Sequence, residues 1–310
     1  PGEASVVFPG PAGAHNWHAM SFNPTTGLVY IPSQEIPTLM KVMTPEDTGG
    51  GLSAGGATLF DLLYGLHDPK YRDQLYGEVV AWDPVANQAR WRARHVLPIN
   101  GGTISTAGNL VFQGTADGKF IAYDAANGKV LWNWQGDGSI QSAPTTVAVD
   151  GEQYILVASG NSASANLSTY TARLTTTEKS RGPSRLLAFK LGGSASLPPS
   201  PPLPPFAKPS RPPVAQDIYR RGELFFEFNA CVACHGMDAV AANGSVPDLR
   251  RMSDATYRSM RDIVVGGAYQ TRGMPAHAHL TDDELAAMAG YLTNKAWDAY
   301  NEQEQAKAQR

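Results

Sequence analysis

The chain has 310 residues, 42% of them hydrophobic and 17% charged, and its 25 lysines and arginines against 28 aspartates and glutamates give a net charge of −3. That balance offers no basic footprint for nucleic acid, and no apolar run reaches the 18 or more residues of a membrane span. The amino end, Pro1-Gly2-Glu3, is neither an initiator methionine nor a signal peptide, so a processed or trimmed mature chain is expected.

Residues 1–196 read as all-β. Glycine and proline punctuate short β-branched and aromatic runs such as Leu110-Val111-Phe112-Gln113, Phe120-Ile121-Ala122-Tyr123 and Tyr154–Ala158. Internal repetition sharpens the class. Ala122-Tyr123-Asp124, Gly128 and Trp132 align without gaps on Ala81-Trp82-Asp83, Asn87 and Trp91, a period of 41 residues. A weaker copy runs from Ser21 to Ile31 through Asn23 and Gly27, and a remnant lies around Leu187–Gly192. Each copy makes sense as strand, tight turn, strand. Asp or Asn caps the turn, Gly or Asn accepts positive φ, and Trp closes a layer by stacking. A period near 40 is that of a β-propeller blade, so four signatures predict about four blades, with long insertions after residues 32 and 160.

Residues 197–213 change character. Positions 198–213 hold nine prolines and almost no apolar periodicity. Such a run favours polyproline II at roughly 3.1 Å per residue, so it is expected to act as a semi-rigid tether of up to about 50 Å.

Residues 214–310 read as a small helical domain. Residues 216–229 have helical spacing, with Ile218, Gly222, Leu224, Phe225 and Phe228 as the apolar positions. The only two cysteines of the chain follow, in Cys231-Val232-Ala233-Cys234-His235. This pentad is the attachment signature of c-type haem: two thiols one turn apart each add to a vinyl group, and the adjacent imidazole turns to the iron. A Cys-x-x-Cys redox pair does not need the histidine, and a zinc site needs a second ligand pair that the chain lacks.

A transfer haem takes a sixth ligand, from Met237, Met252, Met260, Met274, Met288, His277 or His279. Met274 is favoured. It lies 39 residues past His235 in Arg272-Gly273-Met274-Pro275, a stiff loop able to hold a thioether over the far face of the ring, although His/His ligation also fits. Met237 is too close to His235 to cross the porphyrin plane, and Met288 falls on an apolar helix face. A last helix opens on Thr281-Asp282-Asp283-Glu284, a capping box, and aligns Leu285, Met288, Ala289 and Leu292.

These last hundred residues resemble a class I cytochrome c. Gly222, Phe226 and Tyr291 match the small and aromatic positions where its first and last helices cross. Pro247 matches the proline whose carbonyl receives the ring N–H of the proximal histidine, and by that resemblance would tune His235. The Ala-x-Asp-x-x-x-Gly-x-x-x-Trp repeat is similar to the tryptophan-docking motif of pyrroloquinoline quinone (PQQ) dehydrogenases, whose propellers have eight blades. His15–Ser21, Gly27–Pro32 and Asn100–Gly118 match the same family. Propeller, proline-rich linker and cytochrome c in this order resemble the C-terminal portion of a type II quinohaemoprotein alcohol dehydrogenase.

The resemblance implies the remaining expectations. Asn16 and Trp17 would touch PQQ, Cys231 and Cys234 would carry haem c, and His235 and Met274 would bind its iron. The catalytic aspartate and the calcium ligands would lie on an N-terminal propeller half, supplied as a separate chain or a cleaved fragment. An aspartate base would deprotonate an alcohol, hydride would pass to a quinone carbon polarised by Ca2+, and electrons would leave singly through the haem to an external cupredoxin, cytochrome or quinone. Haem c attachment points to a periplasmic address. One departure stands out: after Tyr154–Ala158 the family continues with a Gly-Trp-Gly-Gly type segment, where this chain has Ser159-Gly160-Asn161. Loss of that indole would reshape the region beside the quinone toward bulkier alcohols. The alternative is an electron-transfer subunit in which the Trp-repeat propeller is only a scaffold. A cytochrome placed after the propeller argues against a cd1-type reductase.

Overall fold

The computed structural model describes residues 4–10, 13–42, 58–61, 69–160, 182–200, 204–236, 239 and 246–309. They divide into two compact units, with the boundary between Ser200 and Pro201.

The first unit consists of four antiparallel sheets. Strands β1 (Ser5–Val7), β4 (Thr38–Val42) and β5 (Thr58–Asp61) form one. The second has the order β2 (Ser21–Asn23), β3 (Leu28–Glu35), β6 (Tyr76–Asp83) and β7 (Gln88–His95). The third runs β8 (Thr103–Ser105), β9 (Leu110–Gly114), β10 (Lys119–Asp124) and β11 (Val130–Gln135). The fourth pairs β12 (Thr145–Val149), β13 (Glu152–Ser159) and β14 (Arg185–Phe189).

The repeat is a turn chemistry. Asn23, Asp83 and Asp124 each accept backbone N–H groups of the following turn through Oδ1, at 2.8–2.9 Å. Gly27, Asn87, Gly128 and Gly192 all sit in the left-handed region, with φ of 70°, 52°, 75° and 73°. The copies do not map one to a sheet, however. The weak copy is the β2–β3 hairpin and the copy at 81–91 is the β6–β7 hairpin of the same sheet. The β1–β4–β5 sheet carries no copy, and the insertion expected after residue 32 begins only after β3 ends at Glu35. The insertion expected after residue 160 lies outside the described residues.

Alternation within β10 shows how the layers stack. Ile121 and Tyr123 face one way, into a cluster with Leu28, Tyr30, Val79, Ala81 and Trp91 of the second sheet. Phe120 and Ala122 face the other way, into a cluster with Val157 and Leu187 of the fourth. A strand that buries both faces is the signature of a middle layer. Trp91 locks the first of these interfaces: its Nε1–H donates to the Ala125 carbonyl at 2.9 Å, and the Tyr30 hydroxyl reaches the same oxygen. A Cβ on Gly128 would fall 2.6 Å from the Trp91 ring, so the turn glycine also admits the indole.

The second unit is helical. Helix α1 (Gln216–Phe228) crosses α5 (Asp282–Ala308), and between them lie α2 (Cys231–His235), α3 (Asp254–Arg258) and α4 (Met260–Val264). The Thr281–Glu284 capping box forms as the sequence predicts. At the crossing a Cβ on Gly222 would lie 2.0 Å from the Ala287 carbonyl oxygen and 2.8 Å from the Tyr291 Cβ, so only glycine permits this approach. Helix α1 buries Gly222, Phe225 and Phe226, not the full stripe its spacing suggests. Ile218 is 38% exposed, because α5 covers only a narrow band of α1. Of the expected stripe on α5, Leu285, Met288 and Leu292 are buried and Ala289 packs beside them. Residues 204–214 run along this unit, held by α5 side chains.

Candidate haem centre and cofactor-facing loop

Helix α1 ends at Asn229, and Ala230, in the left-handed region at φ 55°, turns the chain sharply into α2. That turn sets the two thiols of α2 differently. Cys231 is half-buried against the core, with burial pushing its thiol up to about 12, while Cys234 is exposed. Neither is in a disulfide.

His235, at the end of α2, is buried, and burial holds its imidazole below the ordinary histidine range. Its Nδ1 lies 3.3 Å from the Pro247 carbonyl oxygen, an arrangement in which Nδ1–H donates and Nε2 keeps its lone pair. Two thiols outside any disulfide, one turn apart, and a neutral imidazole with one nitrogen already fixed, fit covalent haem held by a histidine.

The candidates for the sixth position separate by environment. Met260 and Met288 are fully within the core cluster. Met252 and Met274 are partly buried against that cluster. Met252 closes the turn that begins at Asp248, beside the Pro247 carbonyl that already serves His235. Met274 comes from a separate loop, launched by Gly273 at φ 90° and tied back by its N–H to the Tyr269 carbonyl at 3.2 Å. His279 Nε2 is 2.7 Å from Asn229 Oδ1, and His277 donates its backbone N–H to Val264. Met237 lies outside the described residues.

In the first unit, the loop bearing Asn16 and Trp17 is held by its backbone. Thr103 N–H donates to Ala19 O, Gln34 N–H to Ala14 O, and His15 Nδ1 lies 2.8 Å from Pro32 O. Asn16 is exposed, and Trp17 presents 54% of its surface. The indole stacks on His18 at 4.2 Å between centroids and 27° between planes. His18 is itself buried, its pKa lowered to about 4 by burial and then by neighbouring His15, so a neutral ring backs the indole. An exposed indole face beside an amide suits a flat, polar-edged cofactor.

Trp17 also lines a cleft of about 590 Å³, with Ser139, Gln141, Ser142, Ala158, Ser159, Gly160, Ser184, Arg185 and Leu186. Ser159 and Gly160, which the sequence marks only as a departure from the family, therefore share a wall with Trp17. Asn161 lies outside the described residues. Ser139 is fully buried, and its hydroxyl has no hydrogen-bond partner among the described residues. Sequence reasoning misses Ser139, Gln141 and Ser184. Ser139 and Gln141 come from the β11–β12 loop and Ser184 from the approach to β14, and they share no motif, so only folding brings them together. The Asn100–Gly118 stretch proves structural where described in detail: Asn100 bonds Leu97 O and Ala116 N–H, and Gln113 bonds Gly101 O.

Residues 68–155 match the family model "Glucose/ethanol/alcohol dehydrogenase, beta-propeller domain", and residues 217–292 match "Cytochrome C oxidase, cbb3-type, subunit III". Over 307 residues the chain is 43% identical to a lupanine 17-hydroxylase [cytochrome c] of Pseudomonas sp, covering 99% of this chain and 42% of that protein. It is 38% identical to quinohemoprotein alcohol dehydrogenase ADH IIB of Pseudomonas putida, covering 96% and 42%. The solved structure of quinohemoprotein alcohol dehydrogenase ADHIIG from Pseudomonas putida HK5 superposes with a TM-score of 0.74 at 32% identity, covering 99% of this chain and 45% of that one. The chain thus spans about two-fifths of the length of these relatives. Among the described residues no helix is long and apolar enough to cross a membrane.

Proposed function

We propose that this chain, a propeller portion and cytochrome c domain of the quinohaemoprotein alcohol dehydrogenase type, is the electron outlet and part of the cofactor pocket of a PQQ-dependent alcohol oxidation. PQQ, when bound beside Ca2+, supplies the two-electron acceptor for the alcohol, and haem c accepts its electrons one at a time. The ligands of Ca2+ and the catalytic base are assigned to an N-terminal propeller half.

The chain's own residues have these roles. Trp17 covers one face of the quinone, and Asn16 donates its amide hydrogens to the ring edge. His18, buried and neutral, fixes the indole without adding charge to the pocket. Cys231 and Cys234 fasten the porphyrin, and Pro247 orients His235 so that Nε2 meets the iron. Met274 would supply the second iron ligand, and a thioether there would favour a high potential suited to receiving electrons. The domains are assigned as propeller 1–196, linker 197–213 and cytochrome 214–310. An external carrier then collects the electrons, with the periplasm as the address.

The observation that carries this reading is the neutral, Pro247-held His235 beside two thiols outside any disulfide, in a chain that also matches the PQQ propeller model. Dye-linked alcohol oxidation by the purified full-length protein, with and without added PQQ and Ca2+, tests it. Activity that needs both supports the enzyme. The scaffold alternative wins where no quinone can be extracted and no alcohol reduces the haem.

A further inference from the structure

The proline-rich segment reads from sequence as a semi-rigid tether along its whole length, yet the structure holds both of its ends. On the cytochrome unit, the Gln303 side chain brackets one residue of it: Phe206 N–H donates to Gln303 Oε1 at 2.7 Å, and Gln303 Nε2 donates to Phe206 O at 3.1 Å. Asn294 repeats this two-point grip one segment later, accepting from Val214 N–H at 2.8 Å and donating to Val214 O at 3.1 Å. Between these grips Trp297 Nε1–H donates to Arg211 O at 2.8 Å. The Arg251 guanidinium donates to Pro204 O at 2.7 Å and lies 3.8 Å from the Phe206 ring centroid. Three of the gripping residues lie on α5, which continues to Ala308, well past its crossing with α1 at Ala287 and Tyr291.

The propeller unit holds the other end. Arg185 on β14 donates Nη2 hydrogens to Pro198 O at 3.1 Å and Ser200 Oγ at 3.2 Å, and pairs with Asp137, which also accepts from Ser200. Only residues 201–203 separate the two held ends. Proline-rich backbone has few N–H groups, and here both Phe206 and Val214 give theirs to amide side chains.

We propose that Gln303 and Asn294 are positioning residues for electron transfer. By pinning residues 204–214 to the cytochrome domain they shorten the working tether from the 17 residues the sequence suggests to three. The covalent path from Ser200 to Pro204 then spans at most about 14 Å. This rests on the electron-outlet reading above. Releasing every grip, those of Trp297 and Arg251 included, lengthens the stretch between held ends from three residues to 15, up to the start of α1 at Gln216. Effective concentration across a tether falls as roughly the −3/2 power of its length, so the haem meets its donor about tenfold less often.

The test uses the full-length holoprotein, with Gln303→Ala, Asn294→Ala, the double variant combined with Trp297→Phe and Arg251→Ala so that no grip remains, and Gln303→Glu, which retains the bond accepted from Phe206 N–H. A fifth variant leaves both grips intact and inserts ten Gly and Ser residues after Pro202. Two readouts apply: hydrogen exchange at the Phe206 and Val214 amides, and haem reduction by alcohol in stopped flow, set against dye-linked turnover. Expected are slow amide exchange in the wild type, fast exchange in the alanine variants, and haem reduction about tenfold slower in the combined and insertion variants at unchanged dye-linked rate. The Soret spectrum and unfolding midpoint confirm that the single variants fold. Fast exchange at both amides in the wild type, or undiminished haem reduction after release, overturns the proposal. A wild type in which alcohol reduces neither haem nor dye overturns the electron-outlet reading, and with it the positioning role, while the exchange result still decides whether the segment is pinned.

Discussion

In the propeller portion the residue that recurs, tryptophan, serves packing: Trp91 is buried and bonds the Ala125 carbonyl of the neighbouring sheet, and Trp132, 41% exposed, sets its ring edge-on against Phe120 and Phe189. In the cytochrome portion the distinctive residues, Cys231, Cys234 and His235, sit together on one short helix and are the ones proposed to hold the haem. Trp17 shows the contrast within a single residue type. It belongs to no repeat, is 54% exposed, and lines the cleft that Trp91 never reaches. Periodic signals mark what holds layers together, because every layer meets the same geometric problem. Aperiodic ones mark where a ligand is handled.

The comparison can be broken most severely at the haem. Cys231→Ala with Cys234→Ala is expected to abolish covalent haem, read as complete loss of haem staining on a denaturing gel, while the propeller unit keeps its β-sheet circular dichroism. Retained covalent haem would end the attachment assignment.

Next in size is the helix crossing. Gly222→Val forces a side chain into the Ala287 backbone, and is expected to cost about 3 kcal/mol or more in urea unfolding of the cytochrome domain. A loss below about 1 kcal/mol would mean that the helices can part without consequence.

Met274→Ala comes third and affects the iron more than the fold. The ferric haem is expected to turn high-spin and its potential to fall. A spectrum that stays low-spin would hand the sixth position to His277, His279 or Met252.

The two tryptophans give a paired test. Trp91→Phe loses a buried hydrogen bond and ring volume, for an expected 1–3 kcal/mol, about. Trp17→Phe is expected to stay within about 0.5 kcal/mol and instead weaken PQQ retention. Equal destabilisation by both would erase the distinction drawn between them.

A further test is in pH. The folded pKa of His18, about 4, lies below the usual 6.5, so the proton prefers the unfolded chain. Its contribution to stability is complete above pH 6.5 and is lost as pH falls toward 4. His18→Gln is expected to flatten the stability curve between those values, measured by thermal unfolding across that range.

Much of this was legible before folding, for identifiable reasons. The pentad, the capping box at Thr281 and the glycine at 222 are local or motif-bound, and the structure forms each of them where expected. The turn residues of the repeat were legible too, down to the left-handed φ at Gly27, Asn87 and Gly128. Sheet membership was not. Two copies fall in one sheet and the β1–β4–β5 sheet has none, because a turn signature reports a hairpin and not which neighbours the hairpin finds. The cleft beside Trp17 was invisible for a similar reason, since Ser139, Ser159 and Ser184 are ordinary serines until a loop, the end of β13 and the approach to β14 converge. The proline-rich segment misled because its composition speaks for its backbone alone, whereas its anchorage depends on Asn294, Trp297 and Gln303, some 80 to 97 residues away.

The central claim is that electrons from alcohol oxidation leave through the haem of this chain. Anaerobic stopped-flow mixing of the full-length, PQQ- and Ca2+-loaded protein with a primary alcohol tests it, with the haem absorbance followed in a single turnover. The account predicts that the haem becomes reduced, and that omission of PQQ abolishes the signal. Alcohol oxidation that proceeds with an artificial dye while the haem stays ferric would contradict it.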